Sequence, residues 1–219
     1  MADFRAHVST GLAVGYVAGA VVGFNRGVSL EATPVLMCIA AFIGSFLPDM
    51  DSDSGKPFDI VFNLFAFAGG CTAFWFCLQQ QRTLSALPLF LIPPAVVLGI
   101  RYGIGDLFKR FTRHRGIFHS IPAALIATLS VLALLKIFLL PYRDLMALSM
   151  SVGLGYFSHL LLDEIYSTIN FEGKRFSPKK SLGTAMALTA PSKSATLAAY
   201  LLLIALIVYN WPLLQQLTG

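Results

Sequence analysis

The chain contains four histidines, His7, His114, His119 and His159, and each stands in a polar cluster at the end of a long apolar run. Carboxylates accompany them. Asp49, Asp51 and Asp53 alternate in Leu-Pro-Asp-Met-Asp-Ser-Asp (47–53), and Asp163 follows His159 by four residues in His-Leu-Leu-Leu-Asp. On a helix that spacing puts imidazole and carboxylate on one face. There they offer one nitrogen and one oxygen to the same ion, or simply bond each other as a structural pair. Neighbouring aspartates repel, and a cation relieves the repulsion. A calcium EF-hand loop needs Gly sixth and Glu twelfth; counted from Asp49 these positions are Ser54 and Ile60, which excludes it. A solvated acidic helix stop is the plainer alternative.

The segment Arg-His-Arg-Gly-Ile-Phe-His-Ser (113–120) is the most specific. Ser120 can cap a helix that begins beside it, with Pro122 tolerated in the first turn. Exposed amides at such a start favour anions, so Ser120 is a candidate substrate contact. Arg113 and Arg115 could add charge-assisted bonds to a phosphate, or anchor the chain at a membrane surface. Four imidazoles with at least three carboxylates suit Zn²⁺, Mn²⁺ or Fe²⁺ better than Mg²⁺ or Ca²⁺ alone. The donors exceed what one tetrahedral ion needs, so two or more ions are expected. Such a centre activates water near neutral pH and clamps the oxygens of a phosphoester, with Asp51 or Asp53 as the candidate catalytic base. The sequence holds no serine nucleophile elbow and no glycine-rich phosphate loop, which speaks against covalent and nucleotide-driven chemistry.

These residues must be positioned by membrane helices. The 219 residues are 56% hydrophobic and 12% charged, with mean hydropathy +0.72; soluble domains are about 45–50% apolar and about 25% charged. The expected fold is an all-α polytopic membrane bundle of about seven spans (five to seven), one domain over 1–219 with no separate soluble domain. A spanning helix needs roughly 20 apolar residues. The apolar runs are 11–24, 34–47, 58–78, 84–104, 121–140, 145–162 and 196–211. The first two are short. Gly11, Gly15, Gly19 and Gly23 repeat every four residues in the first run, a smooth face for close helix packing. Pro88, Pro93 and Pro94 should kink the fourth run, and Arg101 near its end should snorkel to the interface.

Seven spans fix a parity: His7, the loops carrying Asp49 to Asp53 and His114 to His119, and the segment after Asp163 all fall on one side. Most Lys and Arg residues fall there too, so that side, with the N-terminus, should be cytoplasmic. No basic n-region with a cleavage site precedes the first run, so that helix itself should direct insertion. The three cysteines, Cys38, Cys71 and Cys77, lie inside apolar runs without CxxC spacing and read as packing residues. The formal charge of +5 without interleaved aromatics gives no reason to expect nucleic acid.

Together, His7 with its glycine-rich run, Leu47-Pro-Asp-Met-Asp51, His114-Arg-Gly-Ile-Phe-His-Ser120 and Gly155-Tyr-Phe-Ser-His-Leu-Leu-Leu-Asp163 resemble the YdjM-like bacterial inner-membrane proteins, a family described as membrane-bound metal-dependent hydrolases. The resemblance covers about residues 1–170 and implies metal-ligand roles for His7, Asp49, Asp51, His114, His119, His159 and Asp163; Asp53 falls outside its pattern. A more distant likeness in motif order joins zinc-dependent phospholipase C and the S1/P1 nucleases. Such likenesses imply an inner-membrane hydrolase acting on a lipid or lipid-linked phosphoester, with Zn²⁺ the leading cofactor. Arg115 and the cluster Lys174, Arg175, Lys179 and Lys180 would then hold phosphate or anionic headgroups. The alternatives are a metal-ion or proton transporter, which should carry ionisable groups near the midplane, and a scaffold with a structural metal. Oligomeric state is not readable from the sequence.

Overall fold

The computed structural model describes residues 3–25, 27–51, 56–79, 87–107, 117–168, 186–189 and 192–217. Among these every regular element is helical, apart from an isolated bridge between Ser120 and Ala187. Six helices are long and apolar enough to cross a membrane, and a seventh is shorter. The chain divides into two compact units, Met1–Asp49 with Arg115–Gly219, and Met50–His114.

The first unit opens with α1 (Phe4–Phe24), started by Asp3, whose carboxylate accepts the Ala6 N–H at 2.8 Å. Its buried stripe is His7, Gly11, Gly15 and Gly19, so the histidine continues the glycine face. That face packs on α2 (Thr33–Gly44). A methyl group at Gly15 would lie 2.8 Å from the Ala41 side chain and 2.9 Å from the Cys38 backbone, and one at Gly11 would strike Ser45. Gly19 and Gly23 meet Pro34, so α2 runs antiparallel to α1 and returns the chain toward His7.

The second expected span is thus a helix of 12 residues. At 1.5 Å per residue it covers about 18 Å, well short of a hydrocarbon core of about 30 Å. A 3₁₀ turn, Leu47–Asp51, carries the chain onward. Pro48 keeps α2 from continuing, because it has no N–H to donate to the Gly44 carbonyl and its ring crowds that carbonyl.

The remaining helices of this unit are α5 (Ile121–Leu135), α6 (Tyr142–Thr168) and α7 (Lys193–Leu214). The fifth expected span runs as α5 and a short 3₁₀ turn to Phe138, and Leu139 adopts a left-handed conformation that ends it. The longest element, α6, packs against α1, α2 and α5, and α7 packs on α5. Leu129 and Leu132 of α5 meet Leu145 and Met146 of α6 and Leu203 of α7, while Ala123 and Ala124 meet Tyr156 and Leu160. In the first turn of α6 the buried Asp144 accepts the Ser29 and Leu30 N–H groups, at 3.1 and 3.0 Å, and the Thr33 hydroxyl. One carboxylate therefore ties the α1–α2 connection to α6.

The second unit is a helical hairpin, α3 (Lys56–Gln79) and α4 (Leu87–Leu98), packed through Gly69 and Gly70. Pro93 and Pro94 lie inside α4, and a π turn, Gly99–Ile104, follows. Arg101 is paired within the hairpin: its guanidinium donates to Asp59 at 2.6 Å and to Asn63 at 2.8 Å. Large apolar side chains such as Phe67, Trp75 and Phe90 are exposed, as expected where lipid is the solvent.

Candidate metal centre

Five of the seven expected ligands come together in the first unit. His7 enters from the first turns of α1, Asp49 from the 3₁₀ turn after α2, and His119 from the residues just before α5. His159 and Asp163 share a face of α6. The rings of His7 and His159 stack at 3.6 Å between centroids, and His119 meets His159 edge-on at 5.3 Å. The His7 Nε2 lies 3.3 Å from Asp163 Oδ1. The Nε2 atoms of His119 and His159 each lie 3.6 Å from Asp49 Oδ1 and 3.6 Å from Asp163 Oδ2.

Contacts of 3.6 Å are too long for good hydrogen bonds. They match the separation of about 3.3–3.6 Å between two ligands held about 2.0–2.2 Å from one tetrahedral ion. His159 provides a direct test of the fit. Its Nδ1 lies 2.7 Å from the Ser45 carbonyl, which can only accept, so Nδ1 carries the proton. With Nδ1 held by that carbonyl, Nε2 is directed at the two carboxylates, the orientation that second-shell partners impose on metal-bound histidines. That Nε2 is buried and has no hydrogen-bond partner. An unsatisfied buried polar atom costs about 1–3 kcal/mol, and a cation held between this nitrogen and the two carboxylates would satisfy all three. His7 Nδ1 is likewise buried without a partner. The groups His7–Asp49–His159 and His119–His159–Asp163 each have the proximity needed to hold an ion.

Burial raises the Asp49 carboxyl, but the close approach of His119 and the nearby His159 and His7 rings outweigh burial, holding it below the usual carboxylate value of 3.8. His7, His159 and Asp163 are buried, whereas the side chains of Asp49 and His119 keep 21% and 14% of their exposure. Asp49 and His119 thus form the accessible edge of the cluster.

Among the other expected site residues, Ser120 is described. Its hydroxyl is buried, donates to the Ile117 carbonyl and accepts the Ala123 N–H at 3.3 Å, so it caps α5 beside His119. Asp51 ends the 3₁₀ turn, and its side chain lies outside the described set. Also outside the described residues are Asp53, Arg113, His114, Arg115, Lys174, Arg175, Lys179 and Lys180.

Two site features escaped the sequence reading. The Ser45 carbonyl is backbone and leaves no side-chain signal. Tyr156, whose hydroxyl donates to the Phe118 carbonyl, had a readable signal: positions 156, 159 and 163 share one helical face.

A family model described as YdjM inner membrane protein matches residues 1–216. No curated protein and no solved structure matches the chain, so the likeness to phospholipase C and the S1/P1 nucleases rests on motif order alone.

Proposed function

We propose, from the premise that the chain belongs to the YdjM inner membrane protein family, that it is a metal-dependent hydrolase cleaving a phosphoester of a lipid or lipid-linked substrate. Family membership and six long apolar helices make it a multi-pass inner membrane protein. The observation that carries the reading is the buried His159 Nε2, unpartnered and 3.6 Å from each of two carboxylates, among three imidazoles gathered from separate parts of the chain.

In this reading the groups His7–Asp49–His159 and His119–His159–Asp163 would hold transition metal, with Zn²⁺ first among Zn²⁺, Mn²⁺ and Fe²⁺. Asp51 and His114, which the family resemblance implies as ligands, would add donors for further ions. When bound, the metal supplies Lewis acidity and water activation near neutral pH. The chain's own residues do the rest. Ser45 locks the His159 tautomer, α6 fixes the spacing of His159 to Asp163, and the open edge at Asp49 and His119 admits the phosphoester. Asp51 or Asp53 would take the proton from the attacking water. Arg113, Arg115 and the Lys174, Arg175, Lys179, Lys180 cluster would hold phosphate or headgroup charge. The Lys and Arg excess expected on the side of the cluster supports placing it, with the N-terminus, at the cytoplasmic face.

The test is elemental analysis and phosphoesterase assay of detergent-purified protein, wild type beside H159A/D163A. The expected result is at least one transition metal per chain and a metal-dependent activity, both lost in the double variant. Activity that survives H159A/D163A overturns the hydrolase reading. Metal without hydrolysis favours a transporter or a scaffold with a structural metal.

A further inference from the structure

We propose that Tyr156 is a positioning residue that sets His119 against the two ligands of α6, an inference that rests on the metal-centre reading. His119 differs from His7, His159 and Asp163 in lying outside any helix, in the stretch 117–120 before α5. Helical periodicity therefore does not place its ring, and its position depends on tethers. One is local: the Ser120 hydroxyl closes the stretch onto the Ile117 carbonyl and caps α5. A second joins it to the later chain, where the Ile121 N–H donates to the Ala187 carbonyl at 3.1 Å. The third comes from α6, where the Tyr156 hydroxyl donates to the carbonyl of Phe118, the residue before His119.

The third tether bears most directly on the centre. Tyr156 lies three residues before His159 and seven before Asp163, on the same face of the same helix. One rigid element thus carries two ligands and the donor that positions a third, and the two 3.6 Å approaches of His119 and His159 Nε2 to Asp163 Oδ2 follow from it. Tyr156 is only 2% exposed, and its ring packs with Ala123, Ala124 and Leu160. The ring has a packing role that phenylalanine would keep, and the hydroxyl has the tether, which phenylalanine would lose.

The experiment is a Co²⁺ titration of the full detergent-solubilised chain, followed by visible absorption, for wild type, Y156F, H119A and Y156F/H119A. Apo melting temperature and helical circular dichroism are recorded in parallel. Y156F should weaken Co²⁺ binding about tenfold, the lower end of the loss usual for second-shell partners, with the apo melting temperature little changed. In the H119A background, removing the hydroxyl should add no further loss, because its effect runs through His119. Y156F that binds Co²⁺ like wild type overturns the proposal. So does an equal loss in both backgrounds, which marks a general structural effect. Wild type that binds neither Co²⁺ nor Zn²⁺ overturns the metal centre itself, a distinct failure.

Discussion

At the scale of single residues, the cluster brings three imidazoles and two carboxylates to separations of 3.3–3.6 Å. The Ser45 carbonyl settles which nitrogen of His159 carries the proton, and Asp49 is held ionised by the imidazoles around it. The second point has a consequence for acid stability. A carboxyl whose folded value lies below its unfolded value of about 3.9 contributes stability above that pH and loses it as pH falls through the folded value. D49N lacks this contribution. The melting temperature of apo wild type should therefore exceed that of apo D49N near pH 6, and the gap should shrink below about pH 4. A gap that stays constant from pH 6 to pH 3 would contradict the assignment. Of this residue-scale picture, the His159–Asp163 pair was legible because four-residue spacing has one meaning on a helix. The role of Ser45 was not, because it acts through a peptide carbonyl that any residue possesses.

At the scale of elements, glycines decide whether the ligands can meet. The four-residue repeat in α1 was legible as a packing face, and His7 extends that face into the cluster. Less visible in the sequence is the contact between α2 and α6. A side chain at Gly44 would strike the Val152 carbonyl, and one at Gly155 would strike that of Ala41. Such backbone proximity is what brings the end of α2, and with it Ser45, within reach of His159. Replacing Gly155 by valine should push the two helices apart. Overpacking of this kind costs about 1–3 kcal/mol, and G155V should also weaken metal binding by moving Ser45. Gly99, where an added methyl would meet nothing within 4 Å, is the control: G99A should leave both the melting temperature and metal binding unchanged.

Across the whole molecule, the donors come from four stretches of chain far apart in sequence: α1, the 3₁₀ turn after α2, the residues before α5, and α6. A metal bound by all of them would act as a cross-link within the first unit. Binding only to the folded state stabilises by about 2.7 kcal/mol when free metal is 100 times the dissociation constant. A chelator should therefore lower the melting temperature of wild type, added Zn²⁺ should restore it, and H159A/D163A should respond to neither. The polar residues of the second unit follow a different logic. Arg101, Asp59 and Asn63 satisfy one another across the hairpin, so this arginine has a structural partner that its sequence neighbourhood did not advertise.

The sequence by itself determined the class of molecule and the inventory of donors. Hydropathy is a property of composition, and a chain in lipid must satisfy its backbone polar groups internally, which leaves helices for runs of this length. Helical period likewise fixed which neighbours share a face, as in His159 with Asp163 and His7 with the glycines. Only the tertiary structure decided that His7 meets Asp163, that His119 and Asp49 form the open edge, that α2 is a short helix completed by a 3₁₀ turn, and that Arg101 pairs with Asp59. The division has a physical reason. Periodicity acts over a few residues and can be read along the chain, whereas the meeting of residues far apart in sequence depends on how closely backbones approach, and that is settled by packing.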